Sequence, residues 1–303
     1  MAKTSVVTLD LNFQGRVQTI AAYLVHHADG AVLVDCGSGS TIEALQAGLA
    51  ANGLTAHDVS HVLLTHIHLD HAGAAGWFAE QGAKILVHPA GALHLTDPKK
   101  LLRSARRIYG DRMSSLWGKF VPVPESNIVV PRDEEEIRIG RLRFLAIDTP
   151  GHAKHHYAYI LEDMCFSGDV GGVRVPGFPY VRIPMPPPEL DLMKWRASVQ
   201  RMRALKFSRI APTHFGIFDD AGWQLQALEQ GIDETTLWLE NIMRTEPDID
   251  ELRSRFLAWA NEEGLRRGLR ADGIESYDLA NPLGMSADGL FRYWHNVRNA
   301  AAV

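Results

Sequence analysis

Thr65-His66-Ile67-His68-Leu69-Asp70-His71-Ala72-Gly73 sets three imidazoles and a carboxylate within six consecutive positions, directly after the apolar run Val62-Leu63-Leu64. Neutral imidazole and carboxylate are among the commonest metal ligands, so the stretch reads first as a metal site. His66 and His68 are two apart, a spacing that turns both rings to one side at a strand end. Asp70 and His71 follow on a turn towards a helix.

Upstream, residues 5–11, 20–26 and 31–35 are short β-branched runs separated by turn signals, which predicts a β-meander. Residues 41–51 carry Ile42, Leu45 and Leu49 at helical spacing and stop at Asn52-Gly53, and a strand over 62–64 then leads into the His-rich loop. Downstream, a helix over 74–81 and a strand over 84–87 imply a sheet covered by helices. Residues 89–124 read as short helices inserted over the surface as a lid. Strands are expected at 137–139, 142–147, 157–161, 164–167 and 209–211, with a helix over 191–204. Beyond His214 the pattern becomes helical, over 221–243, 250–265 and 287–297, with Gly and Pro punctuation around 272–282 separating the last two. The expected division is a domain over 1–218 with the insert at about 89–124, and a helical extension over 219–303.

Three further segments end predicted strands: Thr149-Pro150-Gly151-His152, Phe166-Ser167-Gly168-Asp169 and Ala211-Pro212-Thr213-His214. Each puts one candidate ligand where a rigid strand runs into a loop. With these, the ligand set is His66, His68, Asp70, His71, His152, Asp169 and His214, enough for two ions.

This pattern, HxHxDH followed by a distant His, an Asp and a final His, resembles the metallo-β-lactamase superfamily over roughly residues 5–217. Asp35-Cys36-Gly37, Thr149-Pro150-Gly151 and Ser167-Gly168-Asp169 fit it as well. The resemblance implies an αββα sandwich, an α/β fold of two sheets flanked by helices, with a dinuclear site at one edge. By the same resemblance His66, His68 and His152 would bind the first ion, Asp70, His71 and His214 the second, and Asp169 would bridge. Zinc suits such ligands and needs no redox partner, while iron or manganese can occupy similar ones. Two close dications lower the pKa of a shared water, which favours hydrolysis, and Asp70 is the candidate to orient that water and pass a proton to the leaving group.

Composition narrows the substrate. A chain of 303 residues with 46% hydrophobic and 22% charged residues is that of a globular protein with a substantial core. The net charge of -5 gives no general attraction to nucleic acid. No signal-peptide pattern and no apolar stretch of about 18 residues is visible, so a cytoplasmic protein without a membrane partner is expected. Cys36 and Cys165 are expected as reduced, buried thiols. The superfamily includes β-lactamases, thioesterases of the glyoxalase II type, lactonases, nucleases and phosphodiesterases, so the fold does not choose the substrate. Only 89 residues follow His214. That is little room for the large extra domain of nuclease members. A cytoplasmic ester, thioester or lactone hydrolase is the leading expectation, and β-lactamase or phosphodiesterase activity ranks lower. A metabolite-binding effector with incidental hydrolysis is the alternative from another class. The helical extension resembles in placement that of glyoxalase II enzymes and of the bacterial quinolone-signal response thioesterase; it either closes the site or pairs two chains into a homodimer.

Around the ligands, His156 is a candidate to orient a ligand imidazole or carboxylate from behind, or is a satisfied histidine at the start of a strand. His155 is expected to be exposed. Lys99, Lys100, Arg103, Arg106, Arg107, Arg112 and Lys119 form either a solvated face or a recognition surface for an anionic substrate group. Arg174, Phe178, Tyr180 and Arg182, in the Pro- and Gly-rich loop after Asp169, are candidates to line a substrate pocket.

Overall fold

The computed structural model describes residues 4–298, so the last five positions of the expected 219–303 extension and the first three of the chain lie outside the described residues. Contacts divide the chain into two units, one of residues 1–148 and 155–167, the other of 149–154 and 168–303. Position 218, where a boundary is expected, falls inside the second.

The first unit holds two sheets. One has the order β1 (Val6–Asp10), β2 (Ala21–His27), β3 (Gly30–Val34), β4 (Val59–Leu63), β5 (Lys84–Leu86), β6 (Ile128–Val129). The meander β1 to β3 is antiparallel, and β3 to β6 run parallel. Parallel pairing requires crossovers, and α1 (Ile42–Ala51), α2 (Leu69–Ala72) and α3 (Ala75–Glu80) lie in two of them. Leu45, Leu49 and Phe78 project from these helices into a core with Leu33, Val62 and Ile85 of the sheet, all fully buried. Truncating a ring such as Phe78 in this core would cost roughly 3–5 kcal/mol.

The basic segment forms α4 (Pro89–Thr96), α5 (Lys99–Tyr109) and α6 (Met113–Trp117), as its spacing predicts. It is also the crossover from β5 to β6, and Leu95, Ala105 and Trp117 belong to the same core. Pro89 sits at the start of α4, where a missing N–H does no harm, and His88 Nδ1 accepts from Ala90 N. The second sheet of this unit is an antiparallel run of β7 (Glu136–Ile139), β8 (Leu142–Asp148), β9 (Tyr157–Leu161) and β10 (Met164–Phe166). Its face meets the first sheet through Tyr23 and Phe166, whose ring centroids are 5.5 Å apart. Tyr159 Oη, fully buried, donates to Leu64 O at 3.1 Å.

The second unit is built on α7 (Leu192–Ala204), β11 (Arg209–Ala211), α8 (Ala221–Ile242), α9 (Ile249–Arg266), α10 (Ala271–Ala280) and α11 (Leu283–Tyr293). Asp191 caps α7 by accepting from Lys194 N at 3.1 Å, and Asp248 caps α9 by accepting from Glu251 N at 2.8 Å. Two expectations are corrected here. Residues 272–282 are not a break: Gly273 lies within α10, where a Cβ would come within 2.6 Å of the Phe178 ring, so this glycine serves packing. The last helix begins at Leu283, because Pro282 stands just before its first turn, a position that asks for no N–H. Among the described residues no helix is long and apolar enough to cross a membrane. Cys36 and Cys165 are free and buried, as expected.

Candidate metal centre

In the first unit the His-rich loop leaves β4 and is fixed from the end of β3. Asp35 follows β3 with φ of 55°, in a region that non-glycine residues seldom occupy. Its Oδ1 accepts from Thr65 N at 2.8 Å and its Oδ2 from Thr65 Oγ1 at 2.8 Å. The same Oδ2 lies 2.8 Å from His71 Nδ1. A carboxylate can only accept, so this contact sets a proton on Nδ1 and leaves Nε2 as the nitrogen able to ligate. Asp35, which the sequence pattern includes without a task, thus holds both Thr65 and His71.

His66 is fully buried and His68 partly so; His66 Nε2 lies 2.8 Å from His68 Nδ1. The rings of His66 and His71 are 3.9 Å apart between centroids. Asp70 and His71 both lie in α2, with Asp70 keeping 21% of its side chain exposed. His156 is fully buried, its ring stacked on His66 with centroids 5.1 Å apart. His155, expected from the sequence to be exposed, is instead buried, with 5% of it accessible. It precedes β9, so strand alternation does not govern it, and it packs against the rings of His66 and His68. Tyr109 of α5 is pushed well up by burial first and by the Asp70 carboxylate second, which puts the basic segment beside this loop. Burial, with a smaller effect of Asp35, also pushes the Cys36 thiol well up, so it stays protonated.

In the second unit, His152 Nδ1 lies 2.8 Å from Pro184 O, a carbonyl that can only accept. The proton is again fixed on Nδ1, and Nε2 faces Asp169 Oδ2 at 3.3 Å. The other carboxylate oxygen, Oδ1, lies 3.5 Å from His214 Nε2. Asp169 thus turns one oxygen to each histidine, from a helical turn over Gly168–Gly171. Gly151 positions His152: its φ is 145°, and a Cβ there would lie 2.3 Å from Trp195 Cα. Trp195 in turn meets the His152 ring edge-on at 5.6 Å and donates from Nε1 to Val170 O.

The four residues expected to line a pocket are each engaged within this unit. Arg174 pairs with Asp220 and Arg182 with Asp278, each at 2.5 Å. Tyr180 is buried 5.2 Å from Tyr277, and Phe178 lies beneath Arg270 and against Tyr277. Each unit thus holds imidazole and carboxylate donors of the kind that bind metal ions, with Nδ1 protonated at His71 and His152.

A model of the metallo-beta-lactamase superfamily matches residues 15–214. A metallo-beta-lactamase fold-containing protein of Sulfurisphaera tokodaii is 31% identical over 193 residues, 61% of this chain and 72% of that protein. An atrochrysone carboxyl ACP thioesterase of Aspergillus fumigatus is 26% identical over 249 residues, 78% of this chain but 65% of its own length. Among solved structures, a metallo-beta-lactamase family protein of Thermus thermophilus aligns with a TM-score of 0.68 at 21% identity, covering 99% of this chain and 94% of that one.

Proposed function

Because the chain belongs to the metallo-beta-lactamase superfamily, whose members are generally metal-dependent hydrolases, we propose that it hydrolyses an ester, thioester or lactone of a small metabolite. In this reading His66, His68 and His152 hold one divalent ion, Asp70, His71 and His214 hold a second, and Asp169 is shared. Zinc is the first choice. Bound there, two dications supply Lewis acidity at an acyl carbonyl and a water whose pKa is lowered towards neutrality.

The observation that carries the reading is Asp169, whose Oδ2 and Oδ1 face His152 and His214 at 3.3 and 3.5 Å. A carboxylate that turns different oxygens to two imidazoles supports a role for Asp169 in which it would be shared. The residues behind the ligands have defined tasks: Asp35 and the Pro184 carbonyl hold protons on the Nδ1 atoms of His71 and His152, which keeps Nε2 basic. Asp70, with 21% of its side chain exposed, is the group that would take a proton from the attacking water and hand it to the leaving group. Among acyl bonds the thioester is favoured by the fungal relative, which is an ACP thioesterase.

The test is metal analysis of the purified protein together with turnover of a panel of thioesters, lactones and aryl esters, using His68→Ala as control. Two equivalents of metal, and hydrolysis abolished by the substitution, are expected. Failure to turn over any of these acyl bonds, or hydrolysis undiminished in His68→Ala, would overturn the reading.

A further inference from the structure

We infer that Arg174 is a positioning residue: its side chain, through Gln224 of α8, fixes the loop carrying Asp169, and its backbone holds that of His214. The inference rests on the reading of those two side chains as metal ligands.

Both terminal nitrogens of the Arg174 guanidinium are engaged. Arg174 Nη1 and Nη2 donate to Asp220 Oδ1 and Oδ2 at 2.5 and 2.9 Å, a two-point geometry that fixes the guanidinium plane. The plane lies 4.0 Å from the Phe218 ring centroid and 4.5 Å from that of Trp223. Nη1 also donates to Gln224 Oε1 at 3.2 Å. Gln224 is fully buried, and because a guanidinium only donates, this contact decides which end of the amide is oxygen. The amide nitrogen is thereby aimed at Gly171 O, 2.8 Å away. Gly171 belongs to the same turn as Asp169, and the next residue, Gly172, donates its N–H to Asp169 O at 2.9 Å. On the other side the Arg174 backbone takes hold of the final histidine: its N–H donates to His214 O at 2.6 Å, and Phe215 N donates to Arg174 O at 3.3 Å. The Arg174 side chain thus reaches the turn carrying Asp169 through Gln224 of α8, while the Arg174 backbone holds that of His214.

Zinc-loaded wild type, Arg174→Ala, Arg174→Lys and Gln224→Glu are challenged with a chromophoric chelator while thermal midpoints are recorded. Gln224→Glu is the decisive variant, since a carboxylate still accepts from Arg174 but has no N–H for Gly171 O. Both Arg174→Ala and Gln224→Glu are expected to weaken the more weakly held zinc about 10- to 100-fold. Arg174→Lys should not restore it, for an ammonium offers neither the two-point contact nor the stack between rings. Wild-type zinc affinity in Gln224→Glu overturns the inference, as does a fall in thermal midpoint with no change in zinc affinity. If Arg174→Ala does not fold, Gln224→Glu decides alone. Should the wild type bind one ion only, the two-ion reading fails, and the clamp is judged on whether Gln224→Glu weakens that ion.

Discussion

His71 Nδ1 and Asp35 Oδ2 lie 2.8 Å apart with 0% and 1% of their side chains exposed, so a ligand candidate is oriented by a carboxylate 36 residues away. Asp35 also accepts from the backbone and the hydroxyl of Thr65, at the mouth of the His-rich loop. Asp35→Ala leaves these buried donors without an acceptor and His71 without a fixed tautomer. Stability should fall by about 1–3 kcal/mol and zinc affinity by about 10- to 100-fold. Denaturant titration and competition with a chelator measure the two effects separately. Unchanged zinc affinity would mean that His71 does not ligate through Nε2.

Gly151 and Trp195 define a second sensitive contact. Alanine at position 151 has to bear a φ of 145° and a Cβ that meets the Trp195 backbone at 2.3 Å. Each penalty is of order 1–3 kcal/mol, so Gly151→Ala should lose roughly 2–6 kcal/mol in stability. Thermal denaturation checks this, and a loss under about 1 kcal/mol would show that the contact relaxes freely.

The two thiols provide a chemical check on the core. Burial alone pushes Cys165 up, and burial followed by the Asp35 charge pushes Cys36 up; Cys36 also donates from Sγ to His71 O. Thiolate is the reactive form, so neither residue should be alkylated by iodoacetamide at pH 8 in the native protein, and both should be in denaturant. Mass spectrometry gives the count, and native labelling at Cys36 would contradict the packing around the His-rich loop.

What the sequence reveals and what it hides divide along contact distance. His66, His68, Asp70 and His71 are legible as candidate ligands because they are neighbours in the chain, and His152, Asp169 and His214 because each ends a recognisable apolar run. The task of Asp35 is hidden: it depends on β3 and β4 lying side by side in parallel, which brings Thr65 to it across 30 residues. Arg174 and Arg182 look like pocket residues in a Pro- and Gly-rich loop. Their acids, Asp220 and Asp278, lie 46 and 96 residues further on, beyond the reach of any local pattern. Gly273 misleads for a related reason, since a glycine chosen for an aromatic neighbour is indistinguishable in sequence from one that ends a helix.

The Arg174 and Asp220 pair also carries a pH signature. The hydrogen bonds from the Arg174 guanidinium hold the Asp220 carboxyl below the usual carboxylate range, outweighing partial burial. A carboxyl depressed on folding adds stability that is fully present above its unfolded value, about 3.9, and is lost as pH falls through the lower folded value. With 48% of the Asp220 side chain exposed, salt screens part of the effect. Wild type should therefore exceed Asp220→Asn in stability at pH 6 and low salt, and the gap should narrow as pH drops below about 4. Denaturant titrations of both proteins at pH 6 and pH 3 measure the gap directly. A difference of the same size at both pH values would assign the effect of the substitution to lost packing around Phe218 and Trp223 rather than to the charge on Asp220.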